Sequence, residues 1–267
     1  MMKKNSTIFK KLLFVILIFL ILFSIFFFLV GNSKKHNEKQ NIAEDTYTIS
    51  DNEKEYLKKK FDDLSSINKD TIAYIYIPGT KLDEPVVQTN DNTTYLDKTF
   101  EGKQQPFFGT VFMDKDNKSD FSDKLTWLFG HARGSQVSDN RMFNDVNFYD
   151  NKDFFDSHPF VVVETPTRRY YYQVSYFLIV PETTPLYKNS FKDDEEFEEQ
   201  IKLVSETAIF KNPNIKINPK DKYLVLSTCR EEDSTLRANL YLRLVPDDEL
   251  KDFLSTNSEK LKYKKTR

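Results

Sequence analysis

The sequence predicts a mainly β domain with added helices, and three patterns carry that expectation. Short runs rich in β-branched and aromatic residues recur between Gly, Pro, Asn and Asp turn signals, eight in all. Only two segments show firm helical periodicity, one ahead of these runs and one between them. A polar stretch separates an amino-terminal apolar run from everything else. Eight short strands in one body predict a closed barrel or a sandwich.

Taken in chain order, residues 12–30 are apolar but for Ser24, close to the ~20 residues that cross a bilayer as a helix. A cleaved signal peptide would show a shorter apolar core and a small-x-small site, so a retained anchor is expected. Lys3, Lys4, Lys10 and Lys11 before the run, against Lys34, Lys35 and Lys39 after it, orient the amino terminus inside. Residues 31–50 are polar and read as a flexible spacer, which leaves His36 far from any chemistry. Leu57, Phe61 and Leu64 then recur at helical spacing over 51–66.

Strands follow at 71–77, 85–88, 109–113, 125–129, 160–164, 170–180, 223–227 and 238–245. A short helical region is expected around 142–155, with His158 capping or packing its end. Residues 193–208 place Phe197, Ile201, Val204 and Ala208 on one helical face, and Asp193, Asp194, Glu195 and Glu196 suit the dipole of its first turn. The body is expected to end near residue 250, with 251–267 a polar, basic tail.

The chain carries 39 basic and 41 acidic side chains, and four of the lysines precede the apolar run. The remainder is therefore acidic, which argues against nucleic acid as a partner. Asp114-Lys115-Asp116-Asn117-Lys118-Ser119-Asp120 alternates oxygen ligands but lacks the Gly and Glu of a calcium loop, so it reads as a polar turn. One cysteine and scattered histidines give no zinc spacing, and neither metal nor cofactor is expected.

The single cysteine, Cys229, ends the apolar run Tyr223–Cys229. It cannot form an internal disulfide, and outside a cell an unpaired thiol is usually absent unless it is used. Its plain alternative is a buried small hydrophobe. A thiol that works needs a base and a cation. His131 closes the strand-like Leu125–Phe129 run as Cys229 closes its own, and Arg237 opens the strand after the cysteine. If those strand ends adjoin, thiol and imidazole can exchange protons in acyl transfer while the guanidinium faces an oxyanion. The plain alternative for Arg237 is a surface ion pair with Glu231, Glu232 or Asp233.

Together these residues resemble the sortases, and among them class B. The likeness rests on Leu226-Ser227-Thr228-Cys229 at a strand end, Phe129-Gly130-His131 at an earlier one, and Arg237 opening the next. Ala73-Tyr-Ile-Tyr-Ile-Pro-Gly-Thr80 followed by Glu84-Pro-Val-Val-Gln88, and the helical insert before the cysteine strand, extend it over roughly residues 50–246. Ala132 stands where many relatives carry asparagine, a departure that bears on substrate detail.

The resemblance implies a closed eight-stranded sortase-type barrel with an amino-terminal helix and a helical insert. It implies a cytoplasmic segment 1–11, a membrane anchor 12–30, a spacer 31–50, an extracellular catalytic domain 51–250 and the tail 251–267. It further implies cleavage of a carboxy-terminal sorting signal after threonine in a secreted protein, a thioester on Cys229, and transfer to an amine of a peptidoglycan precursor. His131 would act as acid and base, Arg237 would stabilise the oxyanion, and Ser227 and Thr228 would line the substrate site. The competing readings are a cell-wall cysteine hydrolase, which would accept water instead, and a membrane-anchored binding module without catalysis.

Overall fold

The computed structural model describes residues 48–133, 141–230 and 232–265, together with Phe23. The expected anchor 12–30 apart from Phe23, the expected spacer up to residue 47, residues 134–140 and Glu231 lie outside the described residues. Among the described residues no helix is long and apolar enough to cross a membrane.

Helix α1 (Asp51–Ile67) begins where Ser50 accepts a hydrogen bond from the Glu53 N–H, and it buries Leu57 and Phe61. β1 (Thr71–Tyr76) and β2 (Asp83–Val87) form an antiparallel hairpin. Its turn is closed by the Thr80 N–H donating to the Ile77 carbonyl, with Pro78 and then Gly79, at φ 88°, in the two central positions. That is the type II arrangement, whose positive φ at the second of them favours glycine. A short helix α2 (Thr94–Asp97), not foreseen from the sequence, precedes β3 (Val111–Met113), which pairs parallel to β2.

β4 (Leu125–Phe129) runs antiparallel to β3 and parallel to β8 (Tyr223–Cys229). β8 continues through β9 (Leu236–Leu244), β6 (Arg169–Pro181) and β5 (Phe160–Glu164) back to β1, which closes an eight-stranded mixed barrel. A two-residue strand, β7 (Phe210–Lys211), pairs at the edge on β6 and is too short to leave a sequence signal. The expected helical region around 142–155 is a 3₁₀ turn, Asn144–Asp150, followed by α3 (Lys152–Ser157), with the extended Asn151 capping the second. His158 caps α3 and stacks on Phe154 at 4.0 Å.

Strand alternation divides the apolar side chains between two cores. Leu224, Leu226, Leu240 and Leu242 face the barrel interior with Ile75, Val86 and Leu128. Tyr223, Val225, Tyr241, Leu125 and Trp127 face outward, under α4 (Asp194–Thr207), whose Phe197, Ile201 and Val204 are fully buried there. Asp193 caps α4 through the Glu196 N–H. Burial of such a side chain is worth about 1.5–3 kcal/mol, enough to hold a helix whose outer face is charged.

As far as residue 265, the stretch after 250 where a polar tail is expected packs on the body. Helix α5 (Asp247–Asn257) buries Leu250 and Phe253, a 3₁₀ turn at Ser258–Leu261 buries Leu261, and Tyr263 packs edge-on against Tyr76 while donating to Asp83. Its lysines made the segment look solvated, but apolar residues at 250, 253, 254 and 261 give it a face to dock.

Candidate active site

The ends of β4 and β8 lie level because the two strands pair in parallel with Phe129 opposite Ser227. The Gly130 N–H extends the ladder to the Ser227 carbonyl at 3.3 Å, so His131 and Cys229 emerge side by side from neighbouring strands. Across the antiparallel β8–β9 pair, Cys229 is the register partner of Arg237. Alternation from Tyr223 and Val225 puts Ser227 and Cys229 on the outer face of the barrel, and from Tyr241 it puts Asn239 and Arg237 there too.

The five sequence-predicted residues, Cys229, His131, Arg237, Ser227 and Thr228, line one cavity of about 330 Å³ at this rim. Thr228 falls on the barrel-interior side of its strand, with Leu224 and Leu226. Phe112, Trp127 and Phe129 give the cavity an apolar floor. Asn92 and Leu96 from the segment after β2, and Glu182, Thr184 and Tyr187 from the segment after β6, also line it. Cys229 is partly exposed and unpaired, and its carbonyl accepts a hydrogen bond from Asn147 at 3.2 Å.

His131 is oriented by the backbone. Its Nε2 lies 2.6 Å from the Leu96 carbonyl oxygen. A carbonyl can only accept, so Nε2 carries the proton and Nδ1 is the basic nitrogen of the neutral ring. The approach depends on Gly109, at φ 52°. A Cβ there would sit 2.7 Å from the Leu96 oxygen and 3.0 Å from His131 Cδ2. Ala132, the departure from the family pattern, bridges to Met142 through its backbone.

Arg237 donates from Nη1 to the carbonyls of Ser234 and Leu236, at 2.6 and 3.1 Å, and from Nη2 to Glu182 at 2.6 Å. Of the acidic neighbours considered from sequence, Glu232 instead pairs with Arg230, whose guanidinium holds the Glu232 carboxyl below its usual range. Arg230 points away from the cavity, toward Asn147 and Asp150. Sequence reasoning missed Leu96, which lies in the short helix α2, and Glu182, Asn92 and Tyr187, which lie in connecting segments with no motif. The β6–β9 register places Glu182, its N–H on the Thr235 carbonyl, beside Arg237.

No protein-family model matches the chain. Among curated proteins it is similar to sortase B of Listeria monocytogenes, 30% identical over 239 residues that span 86% of this chain and 93% of that protein. Among solved structures it is similar to a Staphylococcus aureus sortase B–substrate complex, with TM-score 0.64 and 25% identity over 70% of this chain and 85% of that one. A sortase B complexed with triglycine is similar to the same degree, TM-score 0.64 and 26% identity over 71% of this chain and 86% of that one. A closed mixed barrel of this topology, with a cysteine-lined cavity at its rim, is the architecture of the cysteine transpeptidases. The chain belongs to the sortase family and, within it, to class B.

Proposed function

We propose that this class B sortase is a membrane-anchored transpeptidase that cleaves a sorting signal after threonine and passes the acyl group to an amine of the cell wall. In this reading His131 Nδ1 takes the Cys229 thiol proton as Sγ attacks the threonine carbonyl, and the oxyanion that forms is met by N–H donors of Arg237. Collapse breaks the C–N bond, and His131 gives a proton to the departing amine and leaves a thioester on Cys229. His131 then takes a proton from the incoming amine as its nitrogen attacks the thioester. The C–S bond breaks, the new amide forms, and His131 passes that proton to Sγ to regenerate the thiol. Ser227 and Thr228 line the path of the peptide.

The observation that carries the reading is the meeting of thiol, imidazole and guanidinium in one apolar-floored cavity at the ends of β4, β8 and β9. Its support from relatives is twofold. Among the similar structures are a sortase B–substrate complex and a sortase B complexed with triglycine, a peptide that carries a free amine. The run 12–30 is assigned as the anchor, with the amino terminus inside and the barrel outside the cell, on its length and the lysines that precede it.

The test is cleavage of a fluorogenic sorting-signal peptide with and without added triglycine. Cys229→Ala should reduce turnover to background, and His131→Ala and Arg237→Ala should each lower kcat/KM by about 10²–10⁴. Product bearing triglycine identifies transfer, whereas hydrolysed product alone would make the protein a hydrolase. Parental turnover by Cys229→Ala would remove the cysteine from the chemistry.

A further inference from the structure

Asp114 follows β3 directly and is fully buried, its own N–H fixed to the Trp127 carbonyl at 3.0 Å. Its sequence context is the polar turn whose alternating oxygens resemble a cation loop. In the fold those oxygens are directed elsewhere. Oδ2 accepts from Asn92 Nδ2 at 3.0 Å and from the Tyr187 hydroxyl. Oδ1 accepts from Asn189 Nδ2 at 3.3 Å and from the Asp116 N–H at 2.8 Å. Among the described residues no lysine or arginine forms an ion pair with Asp114, so neutral donors are what solvates this buried carboxylate.

The donors come from two different segments, and two of them, Asn92 and Tyr187, line the cavity. Asn92 stands in the segment after β2, beside the Leu96 carbonyl that orients His131, and Tyr187 and Asn189 stand in the segment between β6 and α4. Tyr187 is further set by edge-on contact with Trp127 at 5.1 Å, and its hydroxyl pKa is raised by burial and by the Asp114 carboxylate. One buried carboxylate therefore ties the segment after β2 to the segment between β6 and α4, where Asn92 and Tyr187 also hydrogen-bond each other.

We propose that Asp114 is a positioning residue for the transpeptidation reaction, a clamp that holds Asn92 and Tyr187 in place where they line the peptide groove. This deepens the proposed function and rests on it. Asp114 is out of line with the reacting atoms, so it governs how peptide is held and leaves the nucleophile untouched. Asparagine at 114 has nearly the same shape but turns an NH₂ toward donors, so it breaks part of the clamp without opening a cavity.

The full-length chain, solubilised in detergent, is assayed with a sorting-signal peptide and separately with iodoacetamide, which reports the Cys229 thiol without any groove. Asp114→Asn should raise KM about tenfold with kcat within about twofold, and leave the alkylation rate within about twofold of the parent. Tyr187→Phe, which removes one hydroxyl, should raise KM by a smaller factor. The double variant should be no worse than Asp114→Asn alone, because both changes break the same bond. Where Asp114→Asn loses its native circular dichroism, Tyr187→Phe and Asn92→Ala decide, and parental KM in both overturns the clamp. An active parent whose Asp114→Asn keeps KM, or whose double variant shows the product of the single effects, overturns this inference alone. A parent that forms no acyl-enzyme with the peptide overturns the transpeptidase reading and the clamp with it.

Discussion

A guanidinium presents five N–H donors in a planar fork. Three of those of Arg237 are bound to Ser234, Leu236 and Glu182, which leaves two for a developing oxyanion. The backbone carbonyls fix one end of the fork, and Glu182 stops it from swinging. Glu182→Gln keeps an acceptor at the same place and should lower kcat/KM no more than about threefold, whereas Glu182→Ala should cost about tenfold. Equal losses in the two variants, measured with the peptide substrate, would assign the effect to charge and not to position. Cys229, His131 and Arg237 were legible in the sequence because each terminates or opens a recognisable strand, and because the cysteine has no rival. Glu182 and Asp114 were not, since each gains its role only through the β6–β9 register or through contacts among three loops. A linear sequence states none of these.

At the scale of elements, long amphipathic helices and interior strands were legible, while the pieces whose identity depends on neighbours were not. α1 and α4 sit where their periodicity predicts, with the cap residues Ser50 and Asp193 at their starts. β7 exists only because β6 is there to pair with it, and α5 looked like tail because its charged residues outnumber its apolar ones. Those charges help dock it. Arg168 holds Asp247, at 2.6 and 3.0 Å, and Arg243 holds Glu249, at 2.6 and 2.8 Å, so both carboxyls lie below their usual range. Carboxyls depressed in the folded state contribute stability above their unfolded values of about 3.9 and 4.3, and lose it as pH falls through the folded values. Both pairs are partly solvated, so the effect is small. The double variant Asp247→Asn/Glu249→Gln should melt about 1–3 °C below the parent at pH 7, and the gap should close toward pH 3. A gap of the same size at both pH values would mean that the pairs do not couple helix docking to protonation.

The whole domain is built on one shared wall, the β4–β8–β9 patch, with the barrel core on one side and the α4 core on the other. The cavity lies at the rim of that wall, so its floor belongs to the barrel and one of its sides depends on the outer core. Gln200 of α4 donates to the Leu186 carbonyl at 2.9 Å, Lys188 pairs with Glu196 at 2.5 Å, and Phe191 packs edge-on against Phe197 at 5.1 Å. These contacts tie the 182–192 wall to α4, whereas the strands bearing Cys229 and His131 are held by the barrel ladder itself. The two halves of the site should thus differ in local stability. Phe197→Ala, which opens a cavity at a fully buried position, should cost about 3–5 kcal/mol of stability. It should speed amide hydrogen exchange across residues 182–192 and α4 while the β8 and β9 amides keep the parent's protection. Leu240→Ala in the barrel core, costing about 2–5 kcal/mol, should instead speed exchange through β8 and β9 together. If both variants accelerate exchange uniformly, the two cores open as one unit, and the groove wall has no freedom of its own with which to admit a peptide.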